Sequence, residues 1–450
     1  MKSRLVLAFL TLSLLLCVNQ VVADEPDWNE VEGELVALLQ DLIRADTQNP
    51  PGNEITACRI LDKFFDREGI KSRIYNVDER RANLLARLKG DGSQKAILLV
   101  AHTDVVPVNE AEWSLPPFSG ELKDGFIYGR GALDDKGMLA VEAMTLVLLN
   151  RLGVPLRRDL ILLATAGEES GGSVGAGWML ERHRDKLDAA FALNEGGRII
   201  VRGGKPLYIA VQTEEKAAYN IRLIARGTTG HSSVPRLDNA IFALAGALDR
   251  ISRYSETHRL DAVTRLFFEG IAPLDPAVDI ADGEVITNDA QYLSLMTNTI
   301  SPTFIQGGIK SNVHPPSAEV NLNCRLLPDQ DVDAFVDSLR QWIGPGPYEF
   351  EYRPRSHAPD PSPVDGIGYI LIEQVCNEIL PDTPVLPYLS PGMSDGTRLR
   401  AEGIPTYGLL PFPLEEDEVW RMHGKDERLS IESLMAGMKF VYQLALLAGR

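Results

Sequence analysis

Short, almost wholly apolar runs that end in loops rich in acids, histidine or glycine constrain the fold of this 450-residue chain most. Residues 96–101 run directly into HTDVVP, and Leu160–Thr165 runs directly into AGEES. Strands buried on both faces have this composition, because the interior of a parallel sheet has no polar side. Segments with helical spacing of apolar residues lie between such runs, for instance residues 138–152. The alternation predicts an α/β fold with a mostly parallel sheet and helices on both faces.

A region with a different pattern of apolar residues interrupts this alternation. It consists of amphipathic helices and of strands in which apolar and polar residues alternate, and we predict residues 293–306 as one of these strands. The region ends at a Pro-rich stretch, residues 354–363, which is typical of a linker. A chain of this length also exceeds one ordinary core. We therefore predict a catalytic domain of residues 24–215 and 358–450, interrupted by a smaller α+β domain of residues 216–357.

The first 23 residues have the features of a signal peptide. Lys2 and Arg4 form a basic start, residues 5–18 are apolar, and small residues lead up to Ala23. We expect an exported protein, periplasmic or secreted after cleavage near Ala23, with no membrane span in the mature chain. An uncleaved amino-terminal anchor and a lipid attached at Cys17 are alternatives.

Charge and cysteine content exclude several classes of partner and site. The formal net charge of −18 becomes −20 when Lys2 and Arg4 are removed, because the first 23 residues contain no acid. Such a surface repels nucleic acid, so we expect no nucleic-acid partner. The mature chain keeps Cys58, Cys324 and Cys376, an odd number without close spacing. Export permits one disulfide, but nothing resembles a cysteine-based zinc site.

His102 and Asp104 follow the first buried run as an HxD pair. Open α/β sheets place their ligands at the carboxyl ends of their strands. An imidazole that binds zinc commonly donates its other ring proton to a carboxylate, and Asp104 is suited to that role. The alternative is a loop histidine near an unrelated acid.

Two pairs of adjacent acids occupy similar positions. Asp134 and Asp135 lie in GRGALDDKG before a helix, where helix capping is an ordinary alternative. Glu168 and Glu169 end the run Leu160–Thr165, where a solvated acidic turn is the ordinary alternative. Adjacent side chains on extended backbone point in different directions. One carboxylate of such a pair can bind metal while the other accepts a proton from water.

Glu195, in FALNEGG, and His423, in WRMHGKDER, complete the set of candidate ligands. Imidazole and carboxylate together suit zinc. Five candidates exceed the three protein ligands of a single catalytic zinc, whereas two ions about 3.5 to 4 Å apart, bridged by one carboxylate, use them all. We therefore predict two Zn²⁺ per chain, with cobalt or manganese as possible substitutes.

The order of these motifs resembles the dinuclear zinc exopeptidases and deacylases, the family of carboxypeptidase G, aminoacylase, carboxypeptidase S and succinyl-diaminopimelate desuccinylase. The resemblance covers nearly the whole mature chain and includes AHTDVVP, GRGALDDKG, ATAGEES, LNEGG, GTTGHSSVP, SNVHPPSAEVNLNCRLLP, GMSDGTRLR and MHGKDER. It implies that each metal has two ligands of its own and that one carboxylate bridges both ions: His102 and Glu195 for the first, Glu169 and His423 for the second, and Asp134 as the bridge. Asp104 would orient His102, Glu168 would be the general base, and the Asp134–Asp135 peptide would be cis.

The same resemblance assigns roles to the inserted domain, which would act as a lid and as a homodimerisation surface. His231 would reach the active site of the partner subunit and stabilise the tetrahedral oxyanion. Asn312 and Arg325 would hold the free carboxylate of the substrate, and Gly392 would contact its backbone.

These features predict a zinc-dependent hydrolase of amide bonds. We first expect a metallo-exopeptidase of carboxypeptidase type acting on short peptides with a free carboxylate. An N-acyl amino acid deacylase is the alternative, because it would use the same residues. A catalytically silent binding protein with this fold would have lost a ligand or Glu168, and neither is lost.

Overall fold

The computed structural model of the protein describes residues 25–353 and 358–450. The predicted signal peptide lies outside the described residues. The strands, in chain order, are β1 Lys71–Asn76, β2 Ala82–Leu88, β3 Ala96–His102, β4 Glu121–Lys123, β5 Phe126–Tyr128, β6 Leu160–Thr165, β7 Ala189–Arg202, β8 Lys205–Glu215, β9 Ala217–Arg226, β10 Gly230–His231, β11 Asp279–Ala281, β12 Glu284–Ile286, β13 Thr299–Gly307, β14 Val313–His314, β15 Ser317–Leu326, β16 Tyr348–Glu351, β17 Val385–Ser390, β18 Thr406–Glu415 and β19 Arg428–Ser430.

The α-helices vary in length from one turn to five. They are α1 Trp28–Arg44, α2 Ile55–Arg67, α3 Lys136–Arg151, α4 Ala176–His183, α5 Ala240–Ile251, α6 Ala262–Ile271, α7 Ala290–Ser294, α8 Val332–Ile343, α9 Ile367–Ile379, α10 Asp395–Ala401, α11 Glu416–Val419 and α12 Ile431–Gly449.

The largest sheet has eight strands in the order β1-β2-β6-β3-β7-β18-β8-β17. Its four central strands, β6, β3, β7 and β18, are parallel to one another, and β17 is parallel to β8. The antiparallel pairings are β1–β2, β2–β6, β18–β8 and the β7–β8 hairpin. The predicted mostly parallel sheet of an α/β fold is confirmed.

Helices cover both faces of this sheet, as the strand β3 illustrates. Leu99 packs into the core formed with α1, α3, α9 and α12. Leu98 and Val100, which point to the other face, pack with Met179 of α4 and Leu399 of α10. Burial on both faces explains why the sequence of this strand is continuously apolar.

A smaller antiparallel sheet has the order β13-β15-β9-β16. Alternate residues of β9, such as Leu223, pack against Leu244 of α5 and Phe335 of α8. This sheet lies within the predicted α+β lid. A single residue, Lys216, separates it from β8 of the large sheet.

Part of the predicted lid range packs on the large sheet instead. Phe267, Phe268 and Ile271 of α6 form one core with Ala210 of β8 and Leu386 of β17. The helix α7 continues this layer through Tyr292, which packs against both phenylalanine rings. Residues 262–296 therefore extend the covering of the large sheet.

Among the described residues, α12 alone is long and apolar enough to cross a membrane. Leu434, Met438 and Val441 of this helix are fully buried in the main core. The three cysteines of the described residues, Cys58, Cys324 and Cys376, are free and buried.

Candidate metal centre

The five predicted metal ligands converge at one edge of the large sheet. His102 ends β3, Glu169 follows β6, and Glu195 lies in β7, three strands that are neighbours in the sheet. Asp134 stands just before α3, and His423 lies between α11 and β19. The carboxyl ends of adjacent parallel strands meet, so residues distant in sequence come together there.

These five side chains form two ligand groups that share Asp134. His102, Asp134 and Glu195 form the first group, and Asp134, Glu169 and His423 form the second, with the ligand atoms of each group within 4.8 Å of one another. Asp134 Oδ1 lies 2.8 Å from Nε2 of His102, and Oδ2 lies 3.0 Å from Nε2 of His423. Each oxygen of one carboxylate therefore faces a different imidazole, which is the arrangement that a bridging ligand requires. The Asp134–Asp135 peptide is cis.

Asp104 fixes the position of His102 mainly through its backbone. His102 Nδ1 donates to the carbonyl oxygen of Asp104 at 2.9 Å, whereas the nearest carboxylate oxygen of Asp104 is 3.6 Å away. A carbonyl only accepts, so Nδ1 carries a proton, and Nε2 is the ring nitrogen that faces the first ligand group. The carboxylate of Asp104 accepts the backbone amides of Glu168 and Glu169 at 3.1 and 3.2 Å and the side-chain amide of Asn49 at 2.8 Å. Asp104 thus also holds the loop that carries the predicted base.

The charges of the centre perturb one another strongly. Burial alone would oppose ionisation of Asp134, but hydrogen bonds from His102 and His423 outweigh it and hold its pKa below the ordinary value. Hydrogen bonds to Asp134 and Glu169 raise the pKa of His423 to about 10. Burial, with the nearby charge of Asp134, raises the pKa of Glu195 to about 8. Concentrated negative charge among buried groups is typical of a site built for cations.

The donor set fits two divalent metal ions. Each group offers one imidazole nitrogen and carboxylate oxygens, the ligands that zinc, cobalt and manganese accept. Bound ions would replace the protons that the imidazoles now share with carboxylates, because a metal ligand must be deprotonated.

Glu168 stands beside the ligands and is half-buried. Burial raises its pKa well above the ordinary value, and the charge of Glu195 adds to this effect. The guanidinium of Arg325, half-buried in β15, interacts electrostatically with Glu168. A carboxylate with a raised pKa close to a metal centre is suited to accept and return a proton.

The other predicted site residues lie around the centre and not in it. His231 is exposed on the β10–β14 ribbon, where its Nδ1 lies 2.8 Å from the hydroxyl of Ser233. No hydrogen bond or ion pair joins it to the five ligand candidates within the described part of the chain. Asn312 is exposed next to the same ribbon, and its carbonyl accepts the amide of Ser232. Gly392 is partly exposed in the loop after β17.

Two residues that sequence reasoning missed support the ligands. Arg130 and Glu427 form a buried ion pair. Glu427 accepts the backbone amides of Leu133 and Asp134, while Arg130 donates to the carbonyl of His423. Arg130 lies in the motif GRGALDDKG and Glu427 lies in MHGKDER, both of which were used to predict the ligands. The opposite charges of these two residues were the sequence feature that could have indicated an ion pair between the motifs.

Comparison with known proteins agrees with this geometry. The chain is 30% identical over 367 residues to the N-fatty-acyl-amino acid synthase/hydrolase of Xenopus tropicalis, covering 77% of this chain and 71% of that protein. It is 35% identical over 318 residues to a probable succinyl-diaminopimelate desuccinylase of Staphylococcus aureus, covering 69% of this chain and 73% of that protein.

The fold matches that of an M20 family metallo-carboxypeptidase from Sulfolobus solfataricus. The TM-score is 0.72 at 19% identity, over 94% of this chain and 99% of that one. The model of peptidase family M20/M25/M40 matches residues 98–447. The resemblance inferred from the motifs is thereby confirmed, and the chain belongs to peptidase family M20/M25/M40, as an enzyme that hydrolyses amide bonds with the help of metal ions.

Proposed function

We propose that this protein hydrolyses the amide bond of N-acyl amino acids whose α-carboxylate is free. Two relatives are named for N-acylated amino acids, one for a fatty-acyl-amino acid and one for succinyl-diaminopimelate, which supports this substrate class. The half-buried Arg325 and the exposed Asn312, both on the inserted segment, supply the polar groups that we assign to the α-carboxylate.

The residues of the chain divide the hydrolysis into distinct tasks. Bound metal ions supply Lewis-acid polarisation of the scissile carbonyl and acidify water. Glu168 takes a proton from the attacking water onto its carboxylate and returns it to the departing amine. The raised pKa of Glu168 suits it to the second of these steps. His231, contributed by the partner subunit, donates a hydrogen bond to the oxyanion of the tetrahedral species.

The observation that carries the acyl assignment is a cavity of about 500 Å³ whose lining includes Arg198, three positions after Glu195, and Trp420, three positions before His423. Three carboxylates line it, and each already accepts hydrogen bonds. Asp275 accepts from Arg202 and Tyr292, Glu416 accepts from Arg202, and Asp289 caps α7. A dipeptide would bring a free ammonium group that needs an unengaged acid, whereas an acyl group brings no positive charge.

Carboxypeptidase activity, the first expectation from the sequence, is the second candidate. It needs the same catalytic residues, and a longer peptide would keep its amino terminus outside the cavity. The half-buried Arg325 is the observation in its favour, since a peptide carboxyl terminus carries the same charged group as an acyl amino acid.

One panel separates the two activities. Purified protein loaded with zinc is assayed on N-acyl amino acids, dipeptides and blocked tripeptides that share one carboxyl-terminal residue. We expect the highest kcat/KM on the N-acyl amino acids. Preference for blocked tripeptides would favour the carboxypeptidase, and hydrolysis of none would refute both. Glu168→Gln is the control for contaminating hydrolases.

We also propose zinc as the native metal, because imidazole and carboxylate ligands suit it, with cobalt or manganese able to substitute. Metal analysis of protein purified without added metal tests this proposal. A zinc content near two per chain is expected, and manganese or cobalt in its place would contradict it.

The inserted domain, residues 216–357, is proposed to act as a lid and as the surface of a homodimer. Large apolar side chains are exposed on α5, on the edge strand β13 and just beyond it, including Phe242, Phe304, Ile305 and Ile309 at 74%, 56%, 63% and 96%. An apolar patch beside an open strand edge is suited to pair with a second copy of the chain. Light scattering of the purified protein would give twice the chain mass.

Export is proposed from residues 1–23. The amino terminus of protein recovered from the producing cell, determined by mass spectrometry, should lie near Asp24. An intact Met1 would indicate a retained anchor, and a lipidated Cys17 would indicate a lipoprotein.

A further inference from the structure

The cavity to which we assign the acyl group is lined in part by five aromatic rings, those of Tyr208, Phe267, Tyr292, Tyr388 and Trp420. Its walls come from the β7–β8 hairpin, β17, α6, α7 and α11. A volume of about 500 Å³ lies in the range of small-molecule sites, which usually combine apolar walls with a few polar groups.

Three chain segments connect this cavity to the metal centre. Arg198 follows the ligand Glu195 by three positions in β7, a separation of about 10 Å along an extended strand. Trp420 precedes the ligand His423 by the same number of positions, and Pro391 directly precedes Gly392. A molecule whose scissile bond lies at the metals can therefore extend into the cavity.

The second arginine of the cavity, Arg202, is occupied. Its guanidinium donates to Asp275 at 2.9 Å and to Glu416 at 2.6 and 3.0 Å. Tyr292 donates to the same oxygen of Asp275 at 2.8 Å. This network engages three of the charged groups that line the cavity, one guanidinium and two carboxylates.

Arg198 has no such partner. Its side chain is half-buried, and no hydrogen bond or ion pair engages its guanidinium within residues 25–353 and 358–450. Burial raises the pKa values of Tyr208 and Tyr388, and the charge of Arg198 acts in the opposite direction on both hydroxyls. A half-buried guanidinium without an acid is incompletely paired, and a carboxylate is its best complement because two N–H groups can bind its two oxygens.

We propose that this cavity receives the acyl half of the substrate and that Arg198 binds a carboxylate at the far end of the acyl chain. The substrate class is then N-acyl amino acids whose acyl group is derived from a dicarboxylic acid. The inference rests on the proposed function. The α-carboxylate of the amino acid is assigned to Asn312 and Arg325 on the inserted domain, so Arg198, on the large sheet, is a second and separate anion-binding group. The aromatic walls pack against the methylene groups between the amide and the distal carboxylate.

A pair of substrates that differ only in the distal group tests the assignment. N-adipoyl and N-hexanoyl derivatives of one amino acid have the same acyl length, and only the first carries the terminal carboxylate. The wild type should have a kcat/KM at least about tenfold higher on the adipoyl substrate, because an unpaired guanidinium gains a charge-assisted hydrogen bond. Since the contact is remote from the scissile bond, the preference should be expressed mainly in KM.

Variants at Arg198 provide the second arm. Arg198→Gln should lose the adipoyl preference while its kcat/KM on the hexanoyl substrate stays within about twofold, and Arg198→Lys should retain part of the preference because it keeps the charge. Arg59→Gln, which removes an exposed arginine of α2, controls for the change in net charge and should behave as the wild type. Retained hexanoyl activity also shows that Arg198→Gln is folded.

Three results would overturn the inference. Equal hydrolysis of both substrates by the wild type, or an equal effect of Arg198→Gln on both, would remove the role of Arg198 and leave the proposed function intact. Hydrolysis of neither substrate would remove the proposed function as well.

Discussion

Arg130 donates from Nη1 to Oε2 of Glu427 at 2.5 Å, and the two side chains are 4% and 0% exposed. The other oxygen of Glu427 accepts the amides of Leu133 and Asp134 at 2.8 and 3.2 Å. Nη2 of Arg130 donates to the carbonyl of His423 at 3.2 Å. One buried ion pair therefore joins the loop of the bridging ligand to the loop of the last imidazole.

Replacing Arg130 with glutamine should loosen the second metal group. Breaking a buried pair leaves Glu427 as an unpaired charge, so the free energy of unfolding should fall by about 3 kcal/mol. The affinity for the second metal should fall about 10- to 100-fold, as for other groups that orient metal ligands. Denaturant unfolding and metal competition with a chelator measure the two effects.

The double variant Arg130→Gln/Glu427→Gln is the matched control. It leaves no unpaired charge, so it should be more stable than Arg130→Gln alone. Additive losses of stability in the two single variants would contradict the coupling.

Removal of His423 should leave half of the metal centre. His423→Ala should bind about one ion per chain, since His102, Asp134 and Glu195 form the other group unaided. Metal analysis after gel filtration gives the stoichiometry, and His258→Ala, at an exposed histidine, should retain two ions. Unchanged stoichiometry in His423→Ala would reject the assignment.

Full removal of the metal ions by a chelator should lower the melting temperature of the protein by several degrees, because the ions bind the folded chain.

Glu168→Gln should lower kcat by about 10²- to 10⁴-fold, because the amide cannot accept the proton from water. Its metal content should remain that of the wild type, since Glu168 belongs to neither ligand group. Steady-state kinetics measure kcat, and metal analysis of the same samples measures the metal content. Activity near that of the wild type would require another base.

Mixed dimers test whether His231 acts on the partner subunit. His231→Ala and Glu168→Gln should each be inactive alone, whereas subunits exchanged in equal amounts should recover about a quarter of wild-type activity. Half of the dimers are then mixed, and each has one complete site of two. No recovery after proven exchange would show that His231 acts within its own chain or not at all.

The pH dependence of stability should include a contribution from Glu54. This residue is fully buried at the start of α2, and burial, with the charge of Asp104, raises its pKa from 4.5 to about 7. Between these values the folded chain holds a proton that the unfolded chain has released. Stability from this group is therefore present below pH 4.5 and is lost as the pH rises to 7, by about 3 kcal/mol.

Glu54→Gln should reduce that slope in denaturant unfolding at pH 5 and pH 8. Glu79→Gln, at an exposed glutamate, should keep it. Identical slopes for Glu54→Gln and the wild type would exclude the contribution.

Helices and strands with a clear pattern of apolar residues were predictable to within a residue or two. Leu160–Thr165 has the predicted bounds, and the helical segment predicted at residues 138–152 is α3, Lys136–Arg151, because complete burial leaves a clear apolar pattern. Residues 293–306 were wrongly predicted as one strand. They include the end of α7 and most of β13, and the helix is initiated by Asp289, whose side chain accepts two backbone amides.

The sequence did not predict the β7–β8 hairpin, because Gly196 and Gly197 interrupt the apolar pattern before the hairpin begins. In the structure β7 continues through both glycines. A Cβ at Gly197 would lie 2.2 Å from the carbonyl oxygens of Ala210 and Gly408, so a side chain does not fit at this position. The glycines allow close strand contact there. The missed hairpin also carries Arg198, whose lack of a partner is visible only when distant segments are assembled.

The candidate site was predictable as a set of residues and not as a network. The motifs contained all five metal candidates, and the structure brings those five together. Sequence spacing could not reveal that the carboxylate of Asp104 holds the Glu168 loop, because that contact depends on how β3 and β6 are juxtaposed.

The two imidazoles of the metal centre lie 321 positions apart, at residues 102 and 423. Synthesis proceeds from the amino terminus, so His423 emerges only when the large sheet is otherwise complete and the inserted domain has been made. A chain interrupted before that point holds at most the first ligand group. The complete set of five metal-ligand candidates therefore exists only once residue 423 of 450 has been made.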